Sequence, residues 1–204
     1  MAKIKYTKTE LKAQTDALKR FERFLPMLQL KKQQLQAEIA AINNRLETLH
    51  RNESNARDAL AAWAPLFGSA DGVASLVTFN NVITEPGNIA GVLIPLYKET
   101  NLTKAELDLF ETPPWFDDAQ EAVAAILSLR AEATVLEEQR NLVTRELRTT
   151  SQRVNLFEKV KIPACLENIR VIRIHLGDEQ TAAVSRGKIA KGRGKDDNNE
   201  EWRL

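Results

Sequence analysis

Two histidines, one cysteine, one glycine-rich basic segment and a few adjacent carboxylates are the residues of this 204-residue chain whose types could carry chemistry. His50 and His175 could share a metal or a proton only if the fold brought them together. They are far apart in sequence, and both read as solvated helix residues. Cys165, beside Pro163, reads as a small seam or surface residue. As the single cysteine it excludes an internal disulfide and fits a reducing compartment. Gly187-Lys-Ile-Ala-Lys-Gly192-Arg193-Gly194 echoes a phosphate-cradling loop, but it lacks the Lys-Ser/Thr pair that grips phosphate and magnesium, and no strand precedes it. The pairs Glu137-Glu138 and Asp117-Asp118 lie on exposed helical faces, with no apolar pocket to separate their pKa values. Arg186 to Lys195 could touch nucleic acid, yet it has no interleaved aromatics and adjoins the acidic run Asp196 to Glu201. A solvated tail, or one meeting an acidic protein wall, is the better reading. The sequence thus offers no catalytic, cofactor-binding or metal-binding constellation, and an autonomous enzyme would need a pocket it does not provide.

Long helices dominate the rest. From Leu11 to Trp63 apolar residues recur at alternating spacings of three and four: Leu11, Leu18, Phe21, Leu25, Leu28, Leu35, Ile39, Ile42, Leu46, Leu49, Ala56, Leu60 and Trp63. Gln14, Lys32 and Glu53 are polar members of the same stripe. A repeat of 3.5 held over about seven heptads is a coiled-coil seam, because a lone globular helix drifts off that period. Such a helix is roughly 80 Å long and cannot bury its stripe alone. A second seam begins near Trp115: Ala119, Ala122, Ile126, Leu129, Ala133, Leu136, Val143, Leu147, Val154 and Phe157, with Arg140, Thr150 and Lys161 as polar members. Pro163 interrupts it, and Leu166, Ile169, Ile172 and Leu176 resume the stripe with a shifted phase. Lys32, Glu53 and Arg140 are read as fixing register, in preference to binding a partner.

Thr7 and Glu10 form a capping-box pattern ahead of the first helix. Pro26 falls inside it and costs about 3 kcal/mol, but the period continues unbroken, so a kink is expected and not a break. Pro65 and Gly68 end the helix region. Val73 to Ile83 and Ile89 to Tyr97 are β-prone, and Glu85-Pro86-Gly87-Asn88 between them has turn chemistry, which predicts a β-hairpin. Thr103 and Glu106 then suggest a cap before a short helix, Lys104 to about Phe110, stopped by Thr112-Pro113-Pro114. Gly177 is a weak stop signal. The expected layout is mainly α: a 7–67 coiled-coil helix, a 68–114 hairpin and short-helix insertion, a 115–186 coiled-coil helix and a 187–204 flexible charged tail.

The insertion between two matched seams implies a long antiparallel two-helix coiled coil in which residue i faces roughly residue 180 − i. Leu11 then meets Ile169, Leu18 meets Ile162, and Arg140 faces Ile39. Both prolines fall in the half carrying the termini, which should be bent relative to the other half. Composition agrees with long exposed helices: aromatics are 6%, charged residues 28%, and the net charge of +1 points to neither nucleic acid nor membrane. MAKIKYTK has no apolar h-region, and no run approaches a membrane span. Asn52-Glu-Ser54 and Asn101-Leu-Thr103 match the glycosylation pattern by chance on this reading.

Specific runs resemble the D subunit of the V-type and A-type rotary ATPases. Arg153-Val154-Asn155-Leu156-Phe157-Glu158, Ile162-Pro163, Ile169 and Leu176-Gly177-Asp178-Glu179 are similar to that family's C-terminal signature. Thr7, Leu11, Leu18, Leu28, Lys31-Lys32 and Leu35 are similar to its opening helix, and Asn88-Ile89-Ala90-Gly91-Val92-Leu93-Ile94-Pro95 to its hairpin. The small residues of Gln180 to Val184, and Phe24-Leu25-Pro26 in the early helix, depart from the usual pattern and suggest a divergent bacterial branch. The resemblance implies a non-catalytic central rotor shaft, holding no nucleotide, whose coil enters a ring of A and B subunits with both termini inside. It also implies partnership with the small F subunit and with a C/d-type coupling protein on the membrane rotor, hence a cytoplasmic, peripheral position. The same helix–hairpin–helix layout leaves open a prefoldin-like or scaffold coiled coil that holds client proteins.

Overall fold

Thr7 opens the first helix of the computed structural model, which describes residues 4–61, 76–107 and 115–200, with side chains in the last helix as far as Lys191. Helix α1 spans Lys8–Ala61. The Glu10 N–H donates to Thr7 Oγ1 at 3.3 Å and the Leu11 N–H to the Thr7 carbonyl at 3.0 Å, so the cap is formed. The Glu10 carboxylate turns forward and accepts from Gln14 Nε2 at 2.8 Å. Pro26 is accommodated inside α1 without ending it. Strands β1 (Val77–Ile89) and β2 (Val92–Lys104) form an antiparallel two-stranded sheet. Helix α2 (Phe116–Leu156) leads through a π-helical turn, Phe157–Lys161, into α3 (Ile162–Glu200). Trp63, Pro65, Gly68, Val73 and the Thr112-Pro113-Pro114 stop lie outside the described residues.

The chain divides into two compact units, Leu30–Ser151 and Met1–Gln29 with Gln152–Leu204. In the first, α1 and α2 pack through Leu35, Ile42, Leu46 and Leu49 against Ala133, Leu136 and Val143. Leu35 and Val143 are wholly inaccessible to solvent. Burying a leucine completely stabilises by about 2–3 kcal/mol. Two ion pairs cross this coil: Lys31 Nζ to Glu146 Oε1 at 2.7 Å and Arg130 Nε to Glu53 Oε1 at 2.6 Å. Both lie within about three residues of the register expected for antiparallel helices advancing at one rise.

The hairpin exists, but its turn is not at Glu85–Asn88. Those residues belong to β1, where Pro86 pairs with Pro95 and Gly87 with Ile94. The chain reverses at Ala90 (φ 50°) and Gly91 (φ 82°). Two consecutive positive φ values are the mark of the two-residue turn whose twist matches the strands. Asn88 Oδ1 accepts from the Gly91 N–H at 2.8 Å and fixes the reversal. Proline is tolerated at 86 and 95 because each strand of a two-stranded sheet has an outward edge needing no donor. Gly87 gives room to Leu96: a Cβ there would lie 2.6 Å from Leu96 Cγ, so that exposed side chain would have to turn aside. Bulges near Asn80 and Lys98 shift the register twice. The strand also runs through Lys104, and Ala105–Leu107 are not helical, so the short helix does not begin where its capping pattern suggests. Its remainder, 108–110, lies outside the described residues.

In the second unit the N-terminal part of α1 pairs with the π turn and α3. Phe21 and Phe157 meet at a centroid distance of 5.0 Å, Asn168 Nδ2 donates to Gln14 Oε1 at 3.4 Å, and Tyr6 stacks on His175 at 4.8 Å. Val154, Cys165, Ile169 and Ile172 are buried. Gly177 does not stop the helix, and the expected loose tail from 187 is helical as far as Glu200. No proline follows Pro163, and Lys and Arg are good helix formers that offset part of the glycine cost. From Gly177 to Lys191 every residue is exposed.

Leu35→Ala should lower unfolding free energy by about 2–5 kcal/mol in urea titrations, whereas Leu30→Ala, on the exposed side of α1, should change it by less than about 0.5 kcal/mol. Deleting Ser185–Leu204 should leave the thermal midpoint within about 2 °C, since Ser185–Lys191 is exposed along its whole length. A drop of about 10 °C would show that the segment is packed.

Candidate functional site

Helix α2 is buried on two sides, and the second side holds the hairpin. One stripe, through Ala133, Leu136 and Val143, faces α1. The other runs through Gln120, Ala124, Ala131, Val135 and Gln139, all buried. Gln120 Nε2 donates to the Leu76 carbonyl at 3.0 Å and to the Ala105 carbonyl at 2.9 Å. The Ala105 N–H donates to the same Leu76 carbonyl at 3.0 Å. Gln139 Nε2 donates to the Pro95 carbonyl. One glutamine therefore holds the open end of the hairpin and the other its distal part. At 1.5 Å per residue the two are about 28 Å apart on α2, against about 33 Å of strand from Pro95 to Ala105 at 3.3 Å per residue. The strand thus lies alongside the helix.

Apolar contacts flank both clamps. Leu76, Phe116 and Ala119 form a small core at the open end, with Val77, Leu107 and Trp115 around it. Ile94 joins the main coil core, with Ile89, Ala90 and Val92 packed on it. Ala90 is held in the left-handed region, which is uncommon for a residue with a Cβ, and its methyl packs on this core. These two glutamines escape a search for charged or nucleophilic groups. The available signal is the second apolar row on α2, Ala124, Ala131, Val135 and Leu142, offset from the seam.

Among the expected seam residues Leu35, Ile42, Leu46, Leu49, Leu136, Val143, Val154 and Ile169 are buried. Leu11, Leu18, Leu25, Leu28, Ile39, Ile126, Leu129, Leu147, Phe157 and Ile162 are half-buried. Lys161 is exposed and Ile162 takes its place, while Cys165 is buried where Leu166 was expected, and Leu166 faces solvent. The cause is the π turn: the Ile162 N–H donates to the Phe157 carbonyl, five residues back, so the stripe steps by five there. Arg153, Asn155, Glu158 and Pro163 are exposed around this turn, Gly91 is the second turn residue, and Pro95 carries the clamped carbonyl.

Of the polar seam positions, Glu53 sits mostly shielded from solvent and meets two arginines and a histidine. Arg130 Nε approaches at 2.6 Å, Arg57 at 3.0 Å and His50 Nδ1 at 4.0 Å. Its contact with Arg130 crosses the coil. Lys32 and Arg140 are half-buried, and it is the neighbouring Lys31 that reaches across to Glu146. His50 and His175 fall in different units, and among the described residues no group of three His, Cys, Asp or Glu side chains could hold a metal. Gly187–Gly194 is helix, so its N–H groups serve helical bonds and cannot cradle phosphate. Burial raises the Cys165 thiol above its ordinary pKa, with Lys161 acting in the opposite direction. Such a thiol is a poor nucleophile at neutral pH.

In Leu30–Ser151 the arrangement is a two-helix coil with the hairpin clamped along α2. A family model described as the D subunit of ATP synthase matches residues 10–192, which takes in both seams and the hairpin. The chain belongs to the ATP synthase D-subunit family. It is 44% identical over 191 residues to the V-type ATP synthase D subunit of Borreliella burgdorferi, covering 94% of this chain and 95% of that one. It is 36% identical over 194 residues to the protein of the same name from Chlamydia muridarum and 37% identical to that from Chlamydia trachomatis serovar L2, each covering 93% of this chain and 95% of the relative. The D-subunit match thus spans the coil, the π turn and the clamped hairpin together.

Gln139→Leu keeps the volume but leaves the Pro95 carbonyl without its donor. It should cost about 1–3 kcal/mol of stability and speed amide exchange in β1 and β2, as read by hydrogen–deuterium exchange.

Proposed function

We propose that this chain is the central rotor shaft of a V/A-type ion-translocating ATPase or ATP synthase, passing torque between a catalytic A/B ring and the membrane rotor. The observation that carries the reading is that the D-subunit match covers both helices of the coil and the hairpin between them. In this role the chain is non-catalytic, and nucleotide chemistry belongs to the ring. A packed two-helix coil resists bending because each turn of one helix is braced by the other, as Leu35, Ile42 and Leu46 are braced by α2. A two-helix cross-section has no threefold symmetry, so three catalytic interfaces around it would meet three different faces. Turning it would bias each interface by differential contact, which is all that a partner can do to an equilibrium.

The F subunit and a C/d-type coupling protein complete the proposed set of partners, the latter joining the shaft to the membrane rotor at the cytoplasmic face. Among the described residues no helix is long and apolar enough to cross a membrane, which accords with a peripheral place. Exposed apolar side chains at Phe24, Met27, Leu156 and Val160 offer contact surface in the unit carrying the termini, the part the reading sends into the ring.

Reconstitution tests this. The purified chain should hydrolyse no ATP alone, should co-purify with the A, B and F subunits, and should raise ATP turnover when added to an A–B ring. It should not suppress aggregation of an unfolded client in light scattering. A chain that neither binds the ring nor changes its turnover, yet protects the client, would replace the shaft with a holdase.

A further inference from the structure

We propose that the coil of the unit carrying the termini has a basic docking face around the Phe21–Phe157 contact, and that this face fits a protein wall lined with carboxylates around an apolar centre. The inference rests on the rotor-shaft reading, under which that wall belongs to the bore of the A/B ring. It adds the chemistry of the wall and a role for the charges, which steer the shaft into place.

The first observation is charge. Phe21 and Phe157 meet at a centroid distance of 5.0 Å, which brings residues 17–29 and 152–164 to one level of the coil. Both stretches belong to one unit. They carry Lys19, Arg20, Arg23, Arg153, Lys159 and Lys161 against Glu22 and Glu158. The local charge is +4 in a chain whose total is +1, so the remainder carries −3. All six cations are exposed. Among the described residues none of them forms an ion pair, whereas Arg170 of the same unit is held by Glu167 at 2.7 Å.

The second is what lies between the charges. Phe24, Met27, Leu156 and Val160 all face solvent, off the seam. Arg20, Phe24 and Met27 follow at i, i+4 and i+7 and so share one side of α1. Arg153 and Leu156, at i and i+3, share one side of α2. A face kept only for solubility has no use for an exposed phenylalanine and methionine. Arginine, methionine and aromatic side chains together are the types enriched where proteins meet.

The third is the kind of partner such a face fits. Guanidinium groups pair with carboxylates through two parallel hydrogen bonds, and Arg20, Arg23 and Arg153 can each offer them. A phosphate backbone would satisfy the cations but leave the apolar side chains wet, and two carboxylates among the six cations weaken the pull on a polyanion. A protein wall meets both needs. Exposed charges act mainly on encounter: they raise the association rate, and salt screens them beyond a Debye length of about 8 Å at physiological ionic strength. The apolar contacts form only after docking, so they set how slowly the complex parts.

Association kinetics of the full-length chain with a reconstituted A–B ring test this. Raising salt from about 0.05 M to about 0.5 M should slow association about tenfold and change dissociation by less than about threefold. Arg20→Gln, Arg23→Gln and Arg153→Gln combined should slow association about tenfold at low salt and flatten its salt dependence. Arg45→Gln, Lys98→Gln and Lys104→Gln remove the same charge from exposed sites of the other unit and should change association by less than about twofold. Phe24→Ala with Met27→Ala should speed dissociation about tenfold and leave association near the parent value. Every substituted site is exposed, so the variants should keep the parent's thermal midpoint. A salt-independent association rate for the parent, or equal slowing by the two sets of glutamine substitutions, would overturn the docking face and leave the shaft reading standing. Retention of the parent on duplex DNA at about 0.15 M salt, lost when the three arginines are replaced, would give the face to a polyanion and overturn the protein wall. A parent chain that does not bind the ring at all would overturn the shaft reading itself, and with it the ring as owner of the wall.

Discussion

Helix α2 has to satisfy two partners at once, and most of the described architecture follows from that. Its seam stripe must match the 3.5 period of α1, while its second stripe must present a surface on which two strands can lie. Small residues make this possible. Ala119, Ala124, Ala131 and Ala133 bring neighbouring backbones close without the bulk that a second row of leucines would impose. Glutamine at 120 and 139 then answers a need that apolar packing cannot. A strand laid against a helix buries carbonyl oxygens, and each buried acceptor without a donor is costly. A long neutral side chain with two N–H groups meets that need at either end of the contact.

The same balance between seam and backbone explains the π turn. Seams on either side of it follow the three-and-four alternation, but the two phases differ by one residue. An α-helix cannot absorb that difference without rotating one seam off its partner by about 100°. One extra residue in a single widened turn absorbs it locally. Pro163 sits just beyond, where its missing N–H and bulky ring would otherwise disturb a regular α turn.

The period of the two seams is plain in the sequence because apolar side chains at that spacing have one purpose, and so is the Thr7 cap. The hairpin is legible as a pair of strands, but its turn is not. Pro86 and Gly87 carry strong turn chemistry, and the competing signal, Ala90-Gly91, contains an alanine that rarely adopts positive φ. What decides the matter is tertiary: Leu96 folding over Gly87, and Ile89, Ala90 and Val92 reaching the coil core. Cys165 and Leu166 exchange places relative to the expected stripe because the five-residue step is invisible until a partner helix selects the phase. The clamping glutamines escape notice because an uncharged amide announces nothing until a carbonyl is placed opposite it. The helical C-terminal segment reads as loose because its glycines weigh heavily in any window average, although Lys and Arg separate them.

The lone thiol has a practical corollary. Cys165 is buried, and that burial raises its thiol above the ordinary pKa. A buried thiol with a raised pKa reacts slowly with maleimides compared with one at an exposed site. A cysteine introduced at any exposed site can carry a dye or a spin probe without first removing the natural one, so distances along each coil can be followed in otherwise unaltered protein.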